Sequence, residues 1–270
     1  MNSSEEYLLG VNQKELDRLR HQHMTWKGVT DAFLDRLGVA PGWRCLDVGS
    51  GPGFVSAELR ERVGTEGEVT ALDQGGYFLE WIKEEARRRG WGNVSSVAGS
   101  IEDVPLPEDA FDLIYMRWMI SFARDSAAVM RKLAPALRGG GVIAIQDYYY
   151  EGLSLYPHGG AFDRMAHYAR AYYESAGGDL YVTARVPGIL RELGLTVCDF
   201  KPNQLAGGPE SHVMEWGHQY FTEHIPIMAA KGLMSPVERD ALLADWLEHR
   251  RDPNALYFSP IVVDVAARKP

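Results

Sequence analysis

Leu46-Asp47-Val48-Gly49-Ser50-Gly51-Pro52-Gly53 is the stretch whose reading decides the fold. Residues 44–48 make a short apolar run, as a buried parallel strand requires, and the run closes on a glycine-rich turn. The glycines permit positive φ and let the backbone approach a ligand closely. A helix expected over residues 54–62 points its unpaired N–H groups at the same spot. A glycine turn with no ligand is the alternative, but strand, turn and helix in this order are the context in which such a motif binds one.

Spacing narrows the ligand. A dinucleotide fingerprint, G-x-G-x-x-G counted from Gly49 and Gly51, needs a third glycine where Phe54 stands. The pattern present is Asp-x-Gly-x-Gly-x-Gly, carried by Asp47, Gly49, Gly51 and Gly53. A carboxylate beside the turn repels a pyrophosphate and suits a ligand bearing an ammonium group.

Outward from this stretch, apolar residues recur at three- and four-residue steps from Leu16 to Leu37, which predicts a helix over residues 13–37 that breaks in two near Trp26 to Gly28. Downstream, residues 67–72 read as a second strand closing on Asp73-Gln74. Asp73 lies where the ribose of a nucleoside reaches the neighbouring strand, and a carboxylate can accept both ribose hydroxyls. Capping the helix that starts near Gly75 is the alternative role, less favoured and compatible with the first. Residues 94–98 form a third strand and 111–116 a fourth, with Arg117 and Trp118 at its carboxyl edge, where open α/β sheets bind ligands. A helix from Asp125 to a stop at Gly139 precedes a fifth strand over residues 142–147. The regular alternation then gives way to two aromatic excursions, at residues 148–182 and 203–234, with a helix at 185–193 and a sixth strand at 195–201 between them. Ser235-Pro236-Val237-Glu238 is a capping box, and residues 257–267 read as the last strand.

The composition excludes several classes. With 270 residues, 46% of them hydrophobic and 24% charged, the chain can bury a sizeable core. A net charge of −9 with scattered basic residues argues against nucleic acid as a partner. No apolar run reaches the length of a membrane span and residues 1–6 lack a signal pattern, so the expected compartment is the cytoplasm. Cys45 and Cys198, each in an expected strand, read as small core residues. The histidines show no metal-ligand spacing, so no metal is expected. Whether the chain forms a homodimer is left open.

The glycine motif resembles the first motif of the class I S-adenosylmethionine (SAM)-dependent methyltransferases, and residues 104–112 resemble that family's P-F-x-D-x-S-F-D-x-V pattern. The likeness runs over nearly the whole chain and is similar to the small-molecule enzymes that include ubiquinone- and menaquinone-type methyltransferases. It implies an α/β, Rossmann-like, doubly wound sheet of seven strands, mostly parallel with a final antiparallel strand. It further implies a single domain with a helical cover at 1–40, a SAM-binding core at 41–147, and the two inserts lining the substrate. SAM would be held by Asp47, Gly49, Ser50, Gly51 and Gly53 at the turn, by Asp73 and Gln74, and by Arg117. Ser100, Ile101 and Glu102 would meet the adenine. Ser100 stands where the family usually has Asp, which leaves Glu102 or the backbone for the adenine amine. Tyr7, Gln22 and Trp26 would close over the site.

The implied chemistry is in-line displacement at the sulfonium methyl by an O, N, S or C nucleophile of a small natural-product or quinone-like molecule, in which positioning supplies much of the acceleration. A phenol, thiol or carbon acid needs a base and a neutral amine does not. By location alone the candidates are His158, His167, His212 and His218, then Tyr148. The competing classes are a SAM-binding protein that no longer transfers methyl, such as a cyclase or a regulatory module, and a nicotinamide oxidoreductase.

Overall fold

A computed structural model of the chain describes residues 12–270. Tyr7 lies outside them. Helix α1 (Gln13–Leu37) opens with the Asn12 side chain accepting from the Glu15 N–H and closes on Gly38 in the left-handed conformation. The helix is unbroken, although the sequence predicts a break near Trp26 to Gly28. Trp26 and Thr30 are both fully buried on one face, whereas Gly28 is exposed. The glycine therefore costs only its helix propensity, about 1 kcal/mol, and packing holds the helix together across it.

The chain continues through β1 (Arg44–Val48), α2 (Phe54–Val63), β2 (Glu68–Asp73), α3 (Gly76–Arg89), β3 (Val94–Ala98), β4 (Phe111–Arg117), α4 (Ser126–Leu133) and β5 (Leu137–Tyr149). β6 (Ser154–Tyr156), α5 (Met165–Ser175), α6 (Val182–Glu192), β7 (Thr196–Asn203), β8 (Ala206–Gly207) and α7 (His212–Ala230) follow. The chain ends with α8 (Pro236–His249), β9 (Leu256–Phe258) and β10 (Ile261–Arg268). Seven strands form one sheet in the order β3-β2-β1-β4-β5-β10-β7, and β10 runs antiparallel to both of its neighbours. The strand order reverses between β1 and β4, which are paired in parallel with Val48 opposite Met116. That reversal opens a crevice at their carboxyl ends, directly at the glycine turn.

Besides α1, two elements and one side chain depart from the sequence reading. The helix after Asp125 stops at Leu133 instead of reaching Gly139; a 3₁₀ turn at Ala134–Ala136 follows and β5 begins at Leu137. Pro135, which has no N–H to continue the helix, lies in that turn. The final strand is divided at Ser259-Pro260, and its first part, β9, leaves the main sheet to join the short strands β6 and β8 in a three-stranded sheet. Strands of two and three residues carry too little periodicity to be read from sequence. Cys198 is exposed rather than in the core, because β7 is an edge strand; Cys45 is buried as expected.

Two cores result. Leu46, Val48, Ile114, Met116, Ile143 and Ile145 pack the main sheet against α4 and α6. The second core is aromatic: Trp26, Tyr148, Tyr172, Phe221, Trp246 and Tyr257 fill the space between α1, α5, α7, α8 and the small sheet. The predicted capping box forms at the start of α8, with Ser235 and Glu238 bonding reciprocally.

Candidate functional site

After β1 the chain turns sharply, and the N–H groups of Gly49 and Ser50 both donate to the Leu72 carbonyl, at 2.8 and 3.0 Å. Gly49, Gly51 and Gly53 have φ of +68°, +51° and +74°, a region that penalises side chains. The three glycines serve different ends. A Cβ on Gly49 would stand 2.5 Å from Met119 Cγ, and one on Gly53 would collide with Ile82 Cδ1. A Cβ on Gly51 would meet nothing within 4 Å. The outer two are thus required by the protein's own packing, and the middle one borders open space.

Asp73, at the end of β2, accepts from the N–H of Gly51 and from that of Gly75, both at 2.7 Å. Its carboxylate therefore ties the turn to the start of α3. Burial raises its pKa, against the lowering effect of the backbone N–H groups. Each oxygen retains a second lone pair. Asp47 is buried and accepts from Ser56 Oγ at 2.6 Å. Burial pushes its carboxyl up to about 6, while the Ser56 hydrogen bond and the Arg117 charge oppose the shift. Ser50 Oγ is buried with no hydrogen-bond partner among the described residues. Gln74 is exposed at the same end of β2.

Arg117 ends β4 beside the turn. Its guanidinium donates to Thr30 Oγ1 at 3.1 Å, lies 3.2 Å from His23 Nδ1 and stacks over Trp118 at 4.8 Å. Among the described residues no carboxylate pairs with it directly, although Asp47 and Glu58 act on it through space. The half-buried guanidinium thus has only neutral hydrogen-bond partners among the described residues. His23 stacks on Phe54 at 5.4 Å and sits 3.6 Å from Glu58. The hydrogen bond to His23, with help from Lys27, holds the Glu58 carboxyl down at about 2, and so pins α1 onto α2. His23, Thr30 and Ser56 are contributors that motif reading misses; only the helical period of α1 hinted that His23 and Thr30 face inward.

The other cofactor candidates lie around the same edge. Gln22 is buried, and its Oε1 accepts from Arg18 and from the Trp216 indole, at 3.0 and 3.1 Å. Trp26 is fully buried with its ring edge-on to Trp118 and Trp216. After β3, Ser100 Oγ accepts from the Glu102 N–H at 3.2 Å, Ile101 is buried, and Glu102 is exposed.

The five catalytic candidates are not gathered in one place. His158 is exposed after β6, and His167 is exposed on α5. His212 is exposed at the start of α7, with its ring 5.6 Å from that of His21. His218, half-buried on α7, accepts from the Trp246 indole at 3.1 Å, and burial lowers its pKa. Tyr148 is buried beside the end of β4: its ring is 6.2 Å from Trp118 and 5.5 Å from Tyr150. Trp118 adopts φ of +51°, a strained conformation for a bulky residue and a marker of functional constraint. Around it packs a cluster of buried phenols. Burial holds Tyr150, Tyr173, Tyr220 and Tyr257 well above the ordinary phenol range, so they stay uncharged.

A doubly wound sheet with an acidic glycine turn, a carboxylate at the end of β2 and an anion-ready arginine at the end of β4 defines a nucleoside-binding, Rossmann-like protein of the methyltransferase class. A family model described as a methyltransferase domain matches residues 40–179, just over half of the chain, and the chain belongs to that SAM-dependent methyltransferase family. A ubiquinone/menaquinone biosynthesis C-methyltransferase of Idiomarina loihiensis is 32% identical over 127 residues, 47% of this chain and 49% of that enzyme. The chain thus spans about half the length of the curated relatives it matches. Among solved structures, a phosphoethanolamine N-methyltransferase of Haemonchus contortus in complex with SAM shares the fold, with a TM-score of 0.56, 18% identity and coverage of 88% of this chain and 51% of that one. A geranyl diphosphate methyltransferase does so with a TM-score of 0.57, 16% identity and coverage of 90% and 77%. SAM is the cofactor of the family.

Proposed function

We propose that the chain transfers the methyl group of SAM to a nucleophile of a small, uncharged, aromatic or quinone-like molecule. The observation that carries this reading is Arg117, a half-buried guanidinium that pairs directly with no carboxylate among the described residues, at the end of β4 beside a turn that is open at Gly51. When bound, SAM supplies a methyl group on a sulfonium, activated for displacement. Arg117 would pair with its carboxylate, Asp47 would balance its ammonium, and Asp73 would accept from the ribose hydroxyls with its remaining lone pairs. Ser100, Ile101 and Glu102 would bracket the adenine, and Gln22 and Trp26 would shield the site from water. Tyr148, next to Trp118, is the catalytic candidate placed to orient an acceptor molecule.

The uncharged walls of the aromatic core support a neutral acceptor, and the net charge of −9 disfavours nucleic acid. The test is incubation with methyl-labelled SAM and a panel of phenolic, quinol and amine acceptors. Label appearing in an aromatic product is the expected result. SAM binding without transfer to any acceptor would favour the non-methylating alternative.

A further inference from the structure

Thr30 on α1, Gln146 on β5 and Asp264 on β10 are all fully buried, and none of them belongs to the glycine turn. They form one line of hydrogen bonds that ends at Arg117. Asp264 Oδ2 accepts from Arg36 at 2.8 Å, and its Oδ1 lies 2.7 Å from Gln146 Nε2. Gln146 Oε1 lies 2.7 Å from Thr30 Oγ1 and 3.3 Å from the Tyr115 hydroxyl. Thr30 Oγ1 in turn accepts from Arg117 Nη1 at 3.1 Å.

The direction of every bond in the line follows from its two ends. Burial raises the pKa of Asp264, and the hydrogen bonds from Gln146 and Arg36 oppose the rise and favour the ionised form, which only accepts. The Gln146 amide therefore turns its NH₂ to Asp264 and its oxygen to Thr30. An amide oxygen only accepts, so the Thr30 hydroxyl donates to it and keeps a lone pair for Arg117. His23 forms a second line of the same kind, with Nδ1 3.2 Å from Arg117 Nη2 and Nε2 3.6 Å from Glu58. Because a guanidinium only donates, Nδ1 carries the lone pair and Nε2 the proton. Two neutral acceptors, each oriented by a carboxylate behind it, thus hold two nitrogens of one planar group and fix its orientation.

We propose that Thr30 and Gln146 are positioning residues for the cofactor: they fix the plane of Arg117, so that the site selects ligands carrying the amino-acid carboxylate of SAM. The inference rests on the proposed pairing of Arg117 with that carboxylate. A polar line that served only to hold α1 on the sheet would affect every ligand of the site alike.

S-adenosylhomocysteine carries the amino-acid group, and methylthioadenosine is the same nucleoside thioether without it. Calorimetry gives the ratio of the two affinities in each variant. Thr30→Val, which keeps the shape and removes the hydroxyl, should lower the ratio about tenfold, with methylthioadenosine binding within about twofold of wild type. Thr30→Ser, which restores the hydroxyl, should bring the ratio back to within about threefold. Arg117→Met is the reference and should lower it at least as far as Thr30→Val.

An unchanged ratio in Thr30→Val, an equal weakening of both ligands, or no recovery in Thr30→Ser overturns the proposal. If Arg117→Met nevertheless lowers the ratio, the pairing of Arg117 with the carboxylate stands and only the positioning role falls. If Arg117→Met leaves the ratio unchanged, or the wild type does not bind S-adenosylhomocysteine, that pairing fails and the positioning role with it. Should Thr30→Val not fold, the side-chain amide ¹⁵N–H resonances of Gln146 in the wild-type protein decide: S-adenosylhomocysteine moves them and methylthioadenosine does not. Resonances that respond equally to both ligands, or to neither, overturn the proposal.

Discussion

The glycine turn and the aromatic core are specified in opposite ways. At the turn, backbone does the work: positive φ at three glycines, two N–H groups on the Leu72 carbonyl, and two more on the Asp73 carboxylate. In the aromatic core, side chains do it: Trp26, Trp118, Tyr148, Tyr220 and His224 come from α1, the end of β4, β5 and α7. A site made of backbone tolerates one residue type at a fixed spacing. A site made of packed rings can be built from many sequences, and so can be fitted to many acceptors.

The contrast is sharpest at the glycines. Gly53→Val forces a branched side chain into Ile82 at a left-handed position, and unfolding in urea should show a loss of about 3 kcal/mol or more. Gly51→Ala should cost only about 1–2 kcal/mol of stability, since nothing lies within reach of its methyl, yet SAM affinity should fall. If Gly51→Ala binds SAM as the wild type does, the open side of the turn is not where the cofactor lies.

Asp47 comes next. Its pKa is raised to about 6 in the folded protein from an ordinary value of 3.8, so the folded state binds its proton more tightly than the unfolded state. Its contribution is fully favourable below about pH 4 and is lost as the pH rises through 6, a change on the order of 3 kcal/mol. Melting of Asp47→Asn against wild type, without cofactor, should show the wild type losing ground between pH 4 and 7. A constant difference across that range would place the carboxylate in a more solvated setting.

Arg117→Met should weaken SAM binding by about 30-fold, roughly 2 kcal/mol, through loss of charged hydrogen bonds. Asp73→Asn should weaken it by about tenfold, because one hydrogen-bond acceptor becomes a donor. At the small end, His167→Ala should change turnover and stability little, since the side chain is exposed on α5. A large loss there would move the acceptor site away from Trp118.

The turn was legible in the sequence because φ and spacing constrain residue type: Gly49, Gly51 and Gly53 fall at its three left-handed positions. The alternation of strands and helices through β5 was legible for the same reason, since periodicity is a local property. The final strand was not, because Ser259-Pro260 redirects the chain into a small sheet whose other strands span two and three residues. The aromatic core was visible only as two stretches rich in aromatic residues. That Tyr148 meets Trp118 follows from the pairing of β4 with β5, and that His167 stays in solvent follows from how α5 packs; neither contact leaves a local pattern in the sequence.

The most direct test of the account is a calorimetric titration of the wild-type protein with S-adenosylhomocysteine and, separately, with NAD. Saturable one-to-one binding of S-adenosylhomocysteine, with no heat from NAD, is the predicted result. Binding of NAD in preference to S-adenosylhomocysteine would contradict it.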